Sequence, residues 1–507
     1  MSLATVYSRT NDGVNAPLVS VEVHIGNGLP ALSIVGLPET AVKESKDRVR
    51  AAIINSHFEF PAKRITVNLA PADTPKDGGR LDLPIAIGIL AASGQINLNP
   101  QALSDYEFIG ELSLGGQLRT VKGVLPTAYA AKQANRKLVV PAENASEAGL
   151  IAQLDVLAPS HLKTIIAHLT GAETITPSVT SVNLHNTNYS LDMHDVKGQH
   201  HAKRALEIAA AGGHNLLMVG PPGTGKTMLA KRLASILPPM TEAEALESAT
   251  IASISQQGFD IKQWGLRPIR DPHHTASGVA LVGGGRKATP GEISLAHNGV
   301  LFLDELTEFD KKVLDVLREP LENGYISIAR AARRASYPAA FQLIAAMNPC
   351  PQGYDCDFKS NCHCTPRQQQ RYRSRLSAPF LDRIDLQIEV PRMPREQLQR
   401  AADGDSSEKI RQKIIAARER QQARQQKTNR FLANREIDQY CQLSKTDSQL
   451  LAHAMDKFRF SARAYHRILK VARTIADLAD HETLQTPHIT EALSYRTLPL
   501  FEALPQT

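Results

Sequence analysis

The segment Gly220-Pro221-Pro222-Gly223-Thr224-Gly225-Lys226-Thr227 limits what this chain can fold into more than any other stretch. A glycine, four free positions and Gly-Lys-Thr make a phosphate cradle when they join a strand to a helix. Leu216-Leu217-Met218-Val219 before it reads as a short buried strand, and Met228, Leu229, Leu233, Ile236 and Leu237 behind it recur at helical spacing. Glycines let backbone N–H groups converge on an anion, the helix N-terminus adds positive potential, Lys226 neutralises phosphate charge, and Thr227 can hold Mg²⁺. ATP and Mg²⁺ are the expected cofactors.

Downstream, Val300-Leu301-Phe302-Leu303 is a second buried-strand run and ends in Asp304-Glu305. Two acids where a parallel strand ends divide the work: one reaches the metal, the other an attacking water. Phe341 to Met347 forms a further strand ending in Asn348, whose amide can orient the same water; a polar turn residue before Pro349 is the other reading. Arg383, in Leu381-Asp382-Arg383-Ile384-Asp385, and Arg463, which opens a helix continuing through Val471, carry charge that phosphoryl transfer requires at its equatorial oxygens. One chain rarely supplies every such group, so Arg383 is expected to act on nucleotide held by a neighbouring subunit.

At 507 residues the chain exceeds one ordinary core, and several domains are expected. A net charge of +7 is compatible with a polyanionic partner. The longest apolar candidate, Leu83 to Ala92, is too short for a membrane span and is interrupted by Pro84 and Gly88. Met1-Ser2-Leu3-Ala4-Thr5 lacks the basic and apolar regions of a signal peptide, so a cytoplasmic location with no membrane partner is expected.

In the N-terminal third, Val19 to Ile25 and Ile65 to Leu69 alternate apolar and polar residues, as half-buried strands do. Ala41 to Asn55 carries helical spacing, Leu83 to Ala92 reads as a buried helix, Glu107 to Leu114 and Lys137 to Val140 as strands, and Val124 to Gln133 as a helix. The result is an α+β unit over residues 1–171. Its element order and the segment Pro75-Lys76-Asp77-Gly78-Gly79-Arg80 resemble the proteolytic domain of Lon proteases. In that family a serine nucleophile stands where this chain has Arg80, and its partner lysine where this chain has Leu125. The resemblance therefore implies a protease-like shell without peptide hydrolysis. Lys76 and Asp77 read as caps of a turn. Residues 172–193, rich in Thr, Ser, Asn and Val, form a linker that can let this unit move against the next.

Residues 195–500 resemble the magnesium-chelatase-related branch of AAA+ ATPases, and with the Lon-like unit in front nearly the whole chain resembles the bacterial ComM/YifB family. The most specific pieces are Arg270-Asp271-Pro272-His273-His274-Thr275-Ala276-Ser277, Pro290-Gly291-Glu292-Ile293-Ser294-Leu295-Ala296-His297 and Ala472-Arg473-Thr474-Ile475-Ala476-Asp477. The resemblance implies an α/β AAA+ P-loop core over residues 194–391 with hairpin insertions, and an α-helical lid over residues 392–507. It makes Lys226 and Thr227 the Walker A pair, Asp304 and Glu305 Walker B, Asn348 sensor 1, Arg383 the arginine finger and Arg463 sensor 2. Val196 and Gly198 are either neighbours of the adenine or ordinary helix packing. The family further implies a homohexameric ring with nucleotide between subunits, and helicase activity that drives branch migration of DNA during natural transformation, with recombination proteins among its partners.

Tyr325 to Arg330, a turn over Ala331 to Arg334, and Ala335 to Ala339 read as a hairpin. It resembles the presensor hairpin of minichromosome-maintenance helicases, in which a basic residue at the position of Arg330 faces the ring's channel. Arg333 and Arg334 are nearby, and a second insertion, Ala280 to Lys287, can bring Arg286 and Lys287 to the same channel. Such a collar suits phosphate contacts rather than base reading; a solvated basic turn is the alternative. Glu408 to Arg435 holds nine Lys or Arg against two acids, either a nucleic-acid-binding helix or a solvated one. Four of the five cysteines, Cys350, Cys356, Cys362 and Cys364, crowd together as Zn²⁺ ligands or as a structural cluster, with a spacing unlike paired C-x-x-C knuckles. His273 and His274 read as a hydrogen-bonded pair or as further ligands. Two other functions fit these residues: the motor subunit of a metal chelatase, and a nucleotide-gated interaction module without translocation.

Overall fold

The computed structural model of the protein describes residues 2–76, 78–96, 100–178, 180, 191–285, 288–330, 333–353, 362, 364–394, 396, 399 and 404–496. Asp77 and most of the second half of the linker lie outside these.

Strands Leu3–Arg9 (β1), Leu18–Gly26 (β2), Ala31–Val35 (β3), Arg64–Ala70 (β4), Tyr106–Phe108 (β5), Lys137–Val139 (β6) and Val156–Leu157 (β7) form one mixed sheet in the order β3-β4-β2-β1-β5-β6-β7. The period-2 pattern explains its register: Val19, Val21 and Val23 of β2 and Ile65, Val67 and Leu69 of β4 are buried, and Val21 pairs with Leu69 and Val23 with Val67. The helix Asp82–Ala92 (α1) is apolar all round and accordingly lies inside, where Gly88 lets it approach the Val23 side chain.

Two local expectations are corrected. The strand expected over Glu107 to Leu114 ends at Phe108, because Gly110 N donates to Arg80 O at 2.9 Å and Leu83 N to Gly110 O at 3.1 Å. The chain leaves the sheet to seat the start of α1, and Glu111–Leu112 pairs with Leu118–Arg119 instead. The helix expected over Ala41 to Asn55 divides into Thr40–Lys43 and Ser45–Asn55, with the Ser45 hydroxyl turned to the buried Asp82 carboxylate.

The second sheet is wholly parallel. Leu216–Val219 (β8), Ile269–Arg270 (β9), Val300–Leu303 (β10), Gln342–Met347 (β11) and Leu386–Glu389 (β12) stand in the order β9-β10-β11-β8-β12. Every residue of β8, β10 and β11 is buried, as a parallel sheet covered on both faces requires. A helix Val124–Gln133 (α2) belongs to the first sheet; His200–Gly212 (α3), Lys226–Ile236 (α4) and Glu242–Ser253 (α5) belong to the second. This is the α/β core expected of a P-loop NTPase, followed by a helical unit.

The two units share an apolar seam. Leu125 and Ala128 of α2 pack in one cluster with Ala245 and Ala249 of α5, Met240 and Trp264. Gly123 N donates to Ser253 O at 3.0 Å, and Leu125 N to Ser253 Oγ at 3.4 Å. The free movement expected of the first unit therefore meets a common core. Arg80 is buried against Thr127, its Nη2 donating to Oγ1 at 2.9 Å. Arg80 and Leu125, the positions that the resemblance to Lon proteases singles out, are thus both enclosed, Leu125 under α5.

Ser407–Gln425 (α6) forms the helix read in the basic segment, with Lys409 and Lys413 exposed. Ile410, Ile414, Ala417 and Gln421 are among its buried residues, and several of its cations pair with groups far along the chain as well as nearby. Arg418 donates to Ala210 O, Arg424 to both Asp477 oxygens at 2.7 and 2.9 Å, and Arg420 to Asp477 O; Lys409 and Lys413 hold Asp405. Asp477 also accepts from Arg473 and Asn429, so the Ala472-to-Asp477 motif holds together α6 and the helix Ala462–Leu478 (α7).

Trp264→Ala empties a site in the shared seam. It is expected to cost about 3 kcal/mol of stability and to split one calorimetric unfolding transition into two, an outcome that an unchanged single transition would refute.

Candidate nucleotide site

Strand register sets the site. Val219 pairs with Met347, Leu303 with Ala345, and Gly220 N donates to Met347 O at 3.2 Å, so the carboxyl ends of β8, β10 and β11 lie side by side. In open parallel sheets this edge is where ligands bind. Gly220 sits directly under β12, and a Cβ there would fall on the Val390 carbonyl oxygen. Gly225 takes φ +89, a conformation that favours glycine, and hands the chain to the first turn of α4.

Lys226 is buried at the start of α4. Its ammonium donates to Gly220 O at 2.7 Å, Pro221 O at 2.9 Å and Asn348 Oδ1 at 3.3 Å. Burial lowers its pKa, opposed by the charges of Asp304 and Glu305. Thr227 Oγ1 donates to Asp304 Oδ2 at 2.6 Å. Glu305 N donates to the other Asp304 oxygen at 2.9 Å, while Glu305 itself adopts φ +50 and leaves its side chain half exposed. Thr224 closes the loop through Pro221 O at 3.0 Å.

The oxygen donors Thr227 and Asp304 stand within hydrogen-bond distance of one another, a pair of the hard kind that Mg²⁺ takes together with phosphate oxygens. A Cβ on Gly223 would meet nothing within 4 Å, so the loop's backbone is open on that side. The residues present fit a magnesium–nucleotide pair.

His274, read from the sequence as half of a hydrogen-bonded pair or as a further metal ligand, stands instead beside Glu305. Its Nδ1 lies 3.0 Å from Glu305 Oε2, and its ring stacks at 4.1 Å on His273, which bonds Thr275 Oγ1. The cause is topological: β9 pairs with β10, Arg270 opposite Leu301, so the residues after β9 run beside the Asp304-Glu305 end of β10. Arg270 also makes a bidentate pair with Glu292 at 2.5 and 2.8 Å, tying two of the most specific motifs together.

Arg383 lies apart from the loop of its own chain. It donates to Arg318 O at 3.1 Å and Pro379 O at 2.7 Å, and pairs with Glu322. Arg463 is exposed at the first turn of α7. One turn further, Arg467 reaches the core and pairs with Asp385, which also accepts from Asn215 N at 2.9 Å. Burial would push the Asp385 carboxyl up, but Arg467 and His214 hold it well below the usual range. Neither Asp385 nor Arg467 had been singled out, since a pairing across 82 residues leaves no local pattern.

Tyr325–Arg330 pairs antiparallel with Arg333–Pro338, Arg330 opposite Arg333 and Ala329 opposite Arg334. The turn is shorter than expected, so Arg333 and Arg334 belong to the second strand; Ala331 lies outside the described residues. A smaller hairpin, Gly283–Gly284 with Thr289–Pro290, stands beside it: Tyr337 Oη donates to Ala288 O at 2.7 Å, and a Cβ on Gly283 would meet Ile328. Arg286 and Lys287 lie outside the described residues, as does Cys356. Cys350, Cys362 and Cys364 follow Asn348 in one cluster.

Comparison with known proteins gives three family matches along the chain. The family model for magnesium chelatase, subunit ChlI, covers residues 192–398; that for subunit ChlI of Mg-chelatase covers 21–144; and the subunit ChlI C-terminal model covers 404–496. The chain is 52% identical over 503 residues to competence protein ComM of Haemophilus influenzae, spanning 98% of each chain. It is 52% identical over 500 residues to YifB of Salmonella typhimurium and 51% identical over 505 residues to YifB of Escherichia coli, again over 98% of each.

The buried Asp385 carries a stability prediction with a definite sign. A carboxyl held below its unfolded value contributes stability that is fully present above the unfolded value and is lost as pH falls on through the folded one. Asp385→Asn is therefore expected to lower stability at pH 7 by about 3 kcal/mol, and the gap to the parent in urea denaturation is expected to begin narrowing below about pH 4 and to go on narrowing as the pH falls further, because Asp385 is held well below the usual carboxylate range.

Proposed function

The chain belongs to the magnesium-chelatase-related ComM and YifB family of AAA+ proteins, and from that premise we propose that it is an ATP-driven hexameric DNA motor that migrates branch points in recombination intermediates. The observation that carries the reading is the meeting of Lys226, Thr227, Asp304, Glu305 and Asn348 at one sheet edge, with an arginine-bearing hairpin entering that sheet through the same β11.

Each residue has a separable task. The backbone of Gly220 to Gly225 and the N-terminus of α4 bind the phosphates, and Lys226 exchanges its loop carbonyls for phosphate oxygens. Thr227 and Asp304 hold Mg²⁺, which when bound neutralises phosphate charge. Glu305 takes the proton of the attacking water as general base, and His274 fixes the orientation of its carboxylate. Asn348 orients that water. Among the described residues the Arg383 guanidinium bonds Arg318 O and Pro379 O rather than the phosphate loop, and its part is to act on nucleotide in the adjoining subunit, with Arg463 reading the same nucleotide from the lid. Arg330, Arg333 and Arg334, with Arg286 and Lys287 of the second insertion, would grip phosphates of a strand in the channel. A metal-chelatase motor has the same nucleotide site; the hairpin arginines favour DNA.

Glu305→Gln is expected to bind ATP and assemble like the parent while turnover falls by about 100-fold or more; undiminished hydrolysis would make the assigned base wrong. On three-stranded or forked DNA the parent should displace a strand in an ATP-dependent manner, and Arg330→Ala should lose DNA-stimulated turnover and displacement. ATP hydrolysis that never moves a strand, beside stimulation of a chelatase, would replace the DNA reading.

A further inference from the structure

The loop after Asn348 carries chemistry that neither the nucleotide site nor the lid uses. Cys350, Cys362 and Cys364 place their sulfur atoms within 4.8 Å of one another, and no disulfide joins them. Cys350 and Cys364 are buried, at 2% and 7% exposure, and among the described residues the three pack as a cluster of their own rather than as part of an apolar core. Two amides point at sulfur: Gly353 N donates to Cys350 Sγ at 3.3 Å and Gln369 Nε2 to Cys362 Sγ at 3.1 Å. Donors of this kind stabilise thiolate charge and orient metal ligands. Sulfurs bound at about 2.3 Å around a tetrahedral zinc stand about 3.8 Å apart, so the cluster needs only a small contraction to form such a site.

We propose that Cys350, Cys362 and Cys364 bind a structural Zn²⁺ as thiolates. Each thiol gives its proton to solvent on binding, and no oxidant or reductant takes part. A fourth donor, which a water can supply, completes the tetrahedron.

The position gives the metal a purpose. Gly353, inside the cysteine loop, lies against both the phosphate loop and Asn348: a Cβ there would stand 3.3 Å from Pro222 Cγ and 3.6 Å from Asn348 Cγ. Beyond Cys364 the helix Pro366–Arg373 brings Tyr372, whose Oη donates to Asn348 O at 3.2 Å. Closing the loop through a metal would clamp Asn348 between Gly353 and Tyr372. Only this effect on turnover rests on the ATPase reading; the metal site itself does not.

Metal analysis of full-length protein purified without chelators, by mass spectrometry, is expected to find about one zinc per chain. An organomercurial thiol reagent should release it to a chromophoric chelator. Cys362→Ser and Cys364→Ser should each retain less than about a tenth of the parent's zinc while still binding ATP, and Cys441→Ser should keep it all. If Cys364→Ser fails to fold, the zinc content of the folded parent decides. A folded, ATP-binding parent that holds no zinc even after zinc is added, a Cys362→Ser protein with full zinc, or a disulfide among these cysteines in alkylated protein would overturn the assignment. Zinc loss with unchanged ATP turnover would overturn the clamping of Asn348.

Discussion

Backbone hydrogen bonding between three neighbouring parallel strands is the constraint on which the site depends. The pairing of Val219 with Met347 and of Leu303 with Ala345 determines that Gly220, Asp304 and Asn348 emerge at one level. Only then can Thr227, on the first turn of the following helix, reach Asp304 at 2.6 Å, and Lys226 reach Asn348 at 3.3 Å. A slip of one residue in β10 would turn its side chains to the other face and remove the contact of Thr227 with Asp304. The glycines serve the same end, since the Val390 carbonyl leaves no room for a side chain on Gly220.

Features whose physics is local were legible in the sequence. The glycine loop, the apolar runs of β8, β10 and β11, and the alternation of β2 and β4 each advertise their structure within a few residues, because strand period and loop conformation are short-range properties. What escaped notice depends on partners far along the chain. His274 meets Glu305 only because β9 lies beside β10, and Arg467 meets Asp385 only because the lid folds back on the core. The basic segment was only partly legible for the same reason. A count of charges says nothing of Asp477, whose carboxylate occupies Arg424 from 53 residues away.

That carboxylate also explains the firmness of the lid. Asp477 is buried with Arg473, Arg424 and Asn429 around it, so each remaining lone pair has a donor. A buried ion cluster of this kind adds less net stability than its contacts suggest, but it penalises any packing in which one charge loses its partner. The lid is thereby restricted to one arrangement of α6 against α7, and its attachment through Arg467 and Asp385 transmits that arrangement to the end of β12.

The enclosed position of Leu125 has a mechanical corollary. Leu125 and Ala128 lie in a hydrophobic joint against the helix that carries Ala245 and Ala249. The first unit is thereby seated on the parallel-sheet core as on a bearing face, and a displacement of that helix reaches it through packed side chains rather than through the linker.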